Sequence, residues 1–154
     1  MKPNIMLLLL ASIALAAGCT TTDGAESEAT EIKLEAKDAI LVTEAQLQTD
    51  GINIGWWTNT DEEIQWKFDV TDAGEYEIFA RISCDPQFPG SVVNVTLNNK
   101  TLSFTVPDTG GWENFTRIGV GKVSLSAGSY TIVLKAASVK ERFVCNVNYV
   151  LLRK

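Results

Sequence analysis

The chain has 154 residues, 19 acidic and 13 basic side chains, a formal charge of −6 and no histidine. So acidic a chain lacks the basic footprint and counterion release on which nucleic-acid binding rests, which excludes nucleic acid as a partner. Without histidine, Ser-His-Asp triads, Cys-His pairs and histidine-based zinc sites are excluded together.

Lys2 precedes an apolar run from Ile5 to Leu15, which ends in Ala16, Ala17, Gly18 and Cys19. A charged start, an apolar stretch too short to span a bilayer comfortably and small residues before a cleavage point make a secretory signal rather than a transmembrane anchor. Leu15-Ala-Ala-Gly-Cys19 resembles the lipobox of bacterial lipoproteins, departing from it mildly at Ala16, where leucine is commoner. That resemblance implies loss of residues 1–18 and a thioether-linked lipid on Cys19. Several acyl chains on one residue attach a protein stably to a membrane, because each buried methylene contributes about 0.8 kcal/mol and one chain alone is marginal. Residues 19–31 then comprise the lipidated cysteine and a flexible acidic tether, rich in Thr, Glu, Ala and Ser and without an aromatic. Thr20 is not the aspartate that retains some lipoproteins at the inner membrane, so the expected location is the cell envelope, at the outer membrane.

Residues 32–154 fit a single domain with its own core, and a second domain would leave both too small. Apolar residues alternate with period two almost throughout, and no 3.6-residue stripe is long enough for a helix. Ile64, Trp66, Phe68 and Val70 form a first inward row, followed by the turn Thr71-Asp72-Ala73-Gly74 and a second row of Tyr76, Ile78, Ala80 and Ile82. Residues 91–97 alternate again, Asn98-Asn99 turns the chain into Leu102, Phe104 and Val106, and residues 107–111 are a loop by composition. Residues 112–119 and 122–125 read as two short strands, Ser126-Ala127-Gly128 as a turn into Tyr130, Ile132 and Leu134, and residues 143–152 as the last strand. Roughly eight to ten short strands at regular spacing predict an all-β sandwich of the jelly-roll form. Two corners echo each other: Ala73-Gly-Glu-Tyr76 and Ala127-Gly-Ser-Tyr130 both follow a strand with Ala-Gly-x-Tyr. Cys84 and Cys145 are an even pair in an oxidising compartment, which favours a disulfide; two separate buried thiols are the alternative.

Taken in order, Leu34-Glu-Ala-Lys-Asp-Ala39, Gly55-Trp-Trp-Thr-Asn59, Ile64-Gln-Trp-Lys-Phe68, the Tyr76 corner, Thr109-Gly-Gly-Trp-Glu-Asn-Phe115, Leu125-Ser-Ala-Gly128 and Asn146-Val-Asn-Tyr-Val150 resemble one group of proteins. These are the bacterial carbohydrate-binding modules of families 6 and 35 and their relatives appended to secreted glycosidases and sulfatases. The resemblance spans residues 34–150 and implies a β-jelly roll that binds glycans and does no chemistry itself. It places Trp112 and Asn146 near one another in a cleft at the end of the sandwich, with Trp56 or Trp57 as the opposite wall.

Sugar chemistry points the same way, since a sugar ring offers a C–H face to an aromatic plane and hydroxyls to planar amides. Trp112 with Asn114, and the pair Trp56-Trp57 with Asn59, supply that combination on loops. Adjacent tryptophans on an extended chain point to opposite faces, so one of Trp56 and Trp57 is expected in the core and the other outside, while Trp66 is expected in the core. The loop 85–90 is a further candidate rim, with an ordinary exposed turn as its plainer reading. Many relatives hold a structural calcium ion, but Lys37 stands where the second carboxylate would be and Asn148 where aspartate is frequent. Lysine cannot ligate a hard cation, so a Glu35–Lys37 contact is expected in place of a metal, and no cofactor is called for.

The predicted function is therefore non-catalytic glycan binding by a monomeric, lipid-anchored envelope protein, with envelope glycosidases or sulfatases as candidate partners. The alternatives are a protein-interaction or structural lipoprotein on the same sandwich and, more remotely, a glycoside hydrolase using the Asp61-Glu62-Glu63 cluster. Adjacent carboxylates at a strand entrance read better as a solvated edge that blocks unwanted pairing.

Overall fold

The computed structural model describes residues 29–43 and 47–154. The expected signal peptide, the lipidation site Cys19 and all but the end of the tether lie outside the described residues. Within them, apolar residues at alternate positions favour extended chain that buries one face. Eleven strands result: β1 (Glu31–Glu35), β2 (Ile40–Val42), β3 (Gln48–Thr49), β4 (Ile54–Gly55), β5 (Glu63–Val70), β6 (Gly74–Cys84), β7 (Val92–Leu97), β8 (Lys100–Thr105), β9 (Gly111–Leu125), β10 (Gly128–Ser138) and β11 (Asn146–Arg153). The only helical element among the described residues is the short 3-10 turn Ala36–Asp38.

Two antiparallel sheets face each other. One has the order β3-β4-β11-β6-β9, with β1 also paired to β11, and the other has the order β2-β5-β10-β7-β8. The predicted inward rows fill the space between them: Ile64, Trp66 and Val70 from β5, Tyr76, Ile78, Ala80 and Ile82 from β6, and Ile132 and Leu134 from β10 are all buried. Phe68 is only partly buried and packs at the edge of this core. Trp66 is sealed inside, as expected, and its indole Nε1 donates to the Glu35 carbonyl at 2.8 Å, tying the end of β1 to the opposite sheet. Truncating a buried indole of this kind costs about 3–5 kcal/mol.

Two predicted boundaries change. The segments read as two strands at 112–119 and 122–125 are one continuous strand, β9. Val120 is the extra residue of a bulge, since Phe79 pairs with Gly119 and Ile78 with Gly121, and pairing to β6 resumes beyond it. The last strand begins at Asn146 rather than at residue 143, which leaves Phe143, Val144 and Cys145 as a connection bonded to the loop after β4 through Val144 N to Trp57 O, 2.8 Å.

The turns follow from local chemistry. Asn98 and Asn99 have φ of 50° and 60°, the two successive left-handed residues of a tight hairpin turn, and Leu97 pairs with Lys100 across it. At the two echoing corners each tyrosine hydroxyl reaches back four residues. Tyr76 donates to the Asp72 carbonyl at 2.6 Å, and Tyr130 lies 3.1 Å from both the amide and the carbonyl of Ser126. These corners close one pole of the sandwich, because β6 begins there opposite the end of β9, Gly74 pairing with Leu125. At the other pole Cys84 pairs with Gly111, and there the candidate site lies.

Candidate functional site

A cleft of about 510 Å³ opens at this second pole, within the size range of pockets that bury small ligands. Its lining comes from β3 and the loop after it, the end of β4, the tryptophan pair, the start of β9 and the connection into β11. Loops carry the contact groups and paired strands fix where the loops begin.

Trp56 is set by an unusual backbone. Its φ is +59°, in the left-handed region that a bulky side chain rarely adopts, and the indole stands 53% exposed. The neighbouring Trp57 turns inward and is 1% exposed, so the pair divides between surface and core. Such backbone strain costs on the order of 1–3 kcal/mol and persists only where surrounding structure holds it. Here the Val144–Trp57 bond and the β4–β11 pairing of Ile54 with Val147 brace the segment on both sides. The buried Trp57 Nε1 has no hydrogen-bond partner, a further cost concentrated at this pole.

Three rings line one side, and Phe88 packs against two of them from outside the lining. Phe143 is the hub, with edge-on contacts to Trp56 (centroids 6.0 Å apart), Trp112 (5.8 Å) and Phe88 (5.2 Å), while Phe88 stacks on Trp112 at 5.8 Å. Trp112 is half-buried, and its backbone is fixed by Ser83, whose hydroxyl donates to the Trp112 carbonyl at 2.6 Å. The preceding loop is held by Thr109, which bonds Cys84, and by Asp108, which accepts from Gly110 N at 2.7 Å.

The polar side of the cleft contains Asn146, Asp50, Asn53, Gln48 and Glu113. The Asn146 carboxamide makes no hydrogen bond to other described residues, and it fits because position 55 is glycine: a Cβ there would lie 2.7 Å from Asn146 Oδ1. Asp50 Oδ1 accepts from the amides of Asn53 (2.6 Å) and Ile52 (2.8 Å), and these bonds hold its carboxyl below the usual carboxylate range.

The structure therefore brings Trp56, Trp57, Trp112 and Asn146 to one cleft, Trp57 as a buried backing residue. Two other candidates are placed elsewhere. Asn59 Oδ1 accepts from the amides of Asp61 and Glu62, closing the turn before β5, and Asn114 is exposed with its amide packed over Gly110; neither lines the cleft. A short polar side chain in a loop often satisfies its own backbone in this way. Phe143 escaped the sequence reading because it falls in an alternating run that passes for strand. Phe88 was legible only as one residue of the candidate rim 85–90, and Gln48, Asp50 and Asn53 have no periodic signal.

Cys84 and Cys145 are buried free thiols, the second of the two alternatives. Burial pushes the Cys84 thiol up to about 11, with help from Asp108 and Asp85, and burial also raises Cys145, which leaves both poorly nucleophilic. The residues at the expected metal position do not fit a divalent cation. Lys37 pairs with Glu35 at 2.6 Å, as expected, Lys33 pairs with it at 2.9 Å, and Asn148 Oδ1 is taken by Arg81. The acidic cluster is not the solvated edge expected: Asp61 is exposed, but Glu62 is buried, accepting from Thr43 Oγ1 at 2.6 Å and Leu47 N at 3.0 Å, and Glu63 is paired with Lys135.

A family model matches the chain, and similar solved structures share its fold. The model of the carbohydrate binding module (family 6) matches residues 28–154. Among solved structures, the chain is similar to the C-terminal family 6 module of the laminarinase LamC from Zobellia galactanivorans, at 24% identity and a TM-score of 0.65, covering 81% of this chain and 100% of that one. It is similar to a family 35 carbohydrate binding module from Clostridium thermocellum, at 18% identity and a TM-score of 0.61, covering 80% and 97%. The family 6 module CBM6cm-2 of lichenase 5A from Cellvibrio mixtus, solved with cellotriose, aligns at 23% identity and a TM-score of 0.60, covering 80% and 96%. A search of curated proteins finds no match.

Proposed function

The chain belongs to family 6 of the carbohydrate-binding modules, and from that premise we propose that it captures a glycan without cleaving it, in the cleft between Trp56, Trp112 and Asn146. The observation that carries this reading is the half-exposed Trp56 indole at the cleft edge, beside an Asn146 amide with no hydrogen bond to other described residues. A sugar laid on the indole gains burial and dispersion, while Asn146, Asp50 and Glu113 meet its hydroxyls. Non-catalytic binding is supported by membership of a family of binding modules. A shallow site of this kind has an expected affinity in the micromolar to millimolar range, about 4–8 kcal/mol.

The same proposal anchors the domain to the envelope through a lipid on Cys19, supported by the lipobox-like Leu15–Cys19 segment, where it would hold glycans near envelope glycosidases or sulfatases. A glycan array probed with the full chain and with Trp56→Ala and Trp112→Ala tests the binding. At least one glycan should be retained by the wild type and lost by both variants, with thermal unfolding unchanged. A blank array together with recovery of one protein partner would favour the protein-interaction alternative.

A further inference from the structure

The outer face of the sheet containing β11, β6 and β9 carries an unusual pairing. Arg81 on β6 and Arg117 on β9 are directly opposite one another, a like-charge cross-strand pair that is intrinsically repulsive. The chain has 19 acidic side chains against 13 basic ones, yet among the described residues neither arginine makes an ion pair. The carboxylates paired on this sheet go elsewhere: Glu35 to Lys33 and Lys37, Glu31 to Arg153, and Glu75 to Lys122.

Neutral groups hold the two guanidinium groups in place. Arg81 Nη1 donates to Asn148 Oδ1 at 2.6 Å, and its guanidinium lies 5.1 Å from the Phe115 ring and 5.8 Å from the Tyr149 ring. Arg117 Nη2 donates to the Tyr149 hydroxyl at 3.1 Å, with its guanidinium 5.8 Å from the Phe79 ring. Each side chain thus spends little of its five-donor capacity on the protein, and aromatic contacts limit its motion. A guanidinium fork matches a carboxylate or a related oxyanion in shape and charge.

The pair is also continuous with the cleft. Asn148, which bonds Arg81, donates through Nδ2 to the Ile52 carbonyl at 2.8 Å, in the loop whose Asp50 and Asn53 line the cleft. Arg117 is also on β9, the strand whose start supplies Trp112 and Glu113 to the cleft. The cleft holds the carboxylates Asp50 and Glu113, which disfavour an anionic sugar there, whereas the arginines favour one.

We propose that Arg81 and Arg117 form an oxyanion site that extends the cleft, so that the ligand is an acidic polysaccharide with a neutral sugar at Trp56 and a carboxylate or sulfate on the arginine pair. The proposal rests on the glycan-binding reading and adds the class of glycan. The test is surface plasmon resonance of the full chain over immobilised polygalacturonate, dextran sulfate, neutral dextran and polyglutamate. The chain should bind at least one acidic polysaccharide more tightly than dextran, the preferred polymer identifying carboxylate or sulfate, and binding should weaken as salt rises. Arg117→Gln should lower that affinity by about tenfold or more with an unchanged unfolding midpoint, and Arg117→Lys should restore part of it. Arg117 is exposed, so this variant decides the matter even if Arg81→Gln fails to fold. Binding to neither acidic polysaccharide, binding that survives Arg117→Gln, or equal binding to polyglutamate would overturn the proposal. If neutral glycans on the array are still lost with Trp56→Ala, only this inference falls; if the array is blank as well, the glycan-binding reading falls with it.

Discussion

The two poles of the sandwich spend their polar groups in opposite ways. At the closed pole, the Tyr76 and Tyr130 hydroxyls each return to a backbone group four residues earlier, and the strands β6 and β9 meet in regular register. At the open pole, a tryptophan sits in a left-handed backbone, a buried indole N–H has no partner and the Asn146 amide is unused. Unspent hydrogen-bonding capacity and strain lower stability, and their concentration at one pole is consistent with the glycan site proposed there. One pole is closed by its own hydrogen bonds, and the other is the one proposed to bind a glycan.

The largest expected effect separates the two roles at a single residue. Replacing Trp56 with glycine, which accepts a positive φ freely, should leave stability within about 1 kcal/mol of wild type while lowering glycan affinity roughly 10- to 100-fold; chemical denaturation and calorimetric titration measure the two. At the closed pole the signs reverse. Tyr76→Phe removes a hydrogen bond from a buried hydroxyl and should cost about 1 kcal/mol of unfolding free energy, with no change in affinity. A smaller effect is expected from Gly55→Ala, whose Cβ must displace the Asn146 amide. The amide is the movable end of a side chain, so affinity should fall several-fold, on the order of 1 kcal/mol, with little change in the unfolding midpoint.

The smallest effect lies away from both poles, at Glu35. Its exposed carboxyl is held down to about 2 by hydrogen bonds from Lys37 and Lys33 and by their charges. A carboxyl depressed in the folded state contributes stability above its unfolded pKa and loses that contribution as pH falls through the folded value. The gap in melting temperature between wild type and Glu35→Gln should therefore narrow from about pH 4.5 down to about pH 2, and high salt at neutral pH should shrink it as well.

The closed pole was the more legible of the two in sequence. Alternating rows from Ile64 to Val70 and from Tyr76 to Ile82 name the core because period two is a direct consequence of strand geometry, and the Ala-Gly-x-Tyr echo names both corners. The open pole was only half legible. Trp56, Trp112 and Asn146 were placed at the cleft through ordered motifs, and the outward and inward split of Trp56 and Trp57 was expected from extended-chain alternation although a left-handed backbone at Trp56 produces it. Phe143 and the 48–53 loop were not singled out, because a residue outside a periodic element joins a site through long-range register that no local pattern encodes. Asn59 and Asn114 lie outside the cleft lining for the opposite reason: their residue type suits sugar hydroxyls, but it suits nearby backbone amides and glycine turns equally well.

The central claim is that the accessible indoles of Trp56 and Trp112 meet the sugar and the core indole of Trp66 does not. The four tryptophans each give an indole N–H signal, and a nitrogen–proton correlation spectrum of the full chain, recorded while adding a glycan retained on the array, reads all four at once. The account predicts that the signals of Trp56 and Trp112 shift with saturation, while that of Trp66, bonded to the Glu35 carbonyl, stays in place. A titration in which Trp56 and Trp112 are unmoved while the glycan still binds would contradict it.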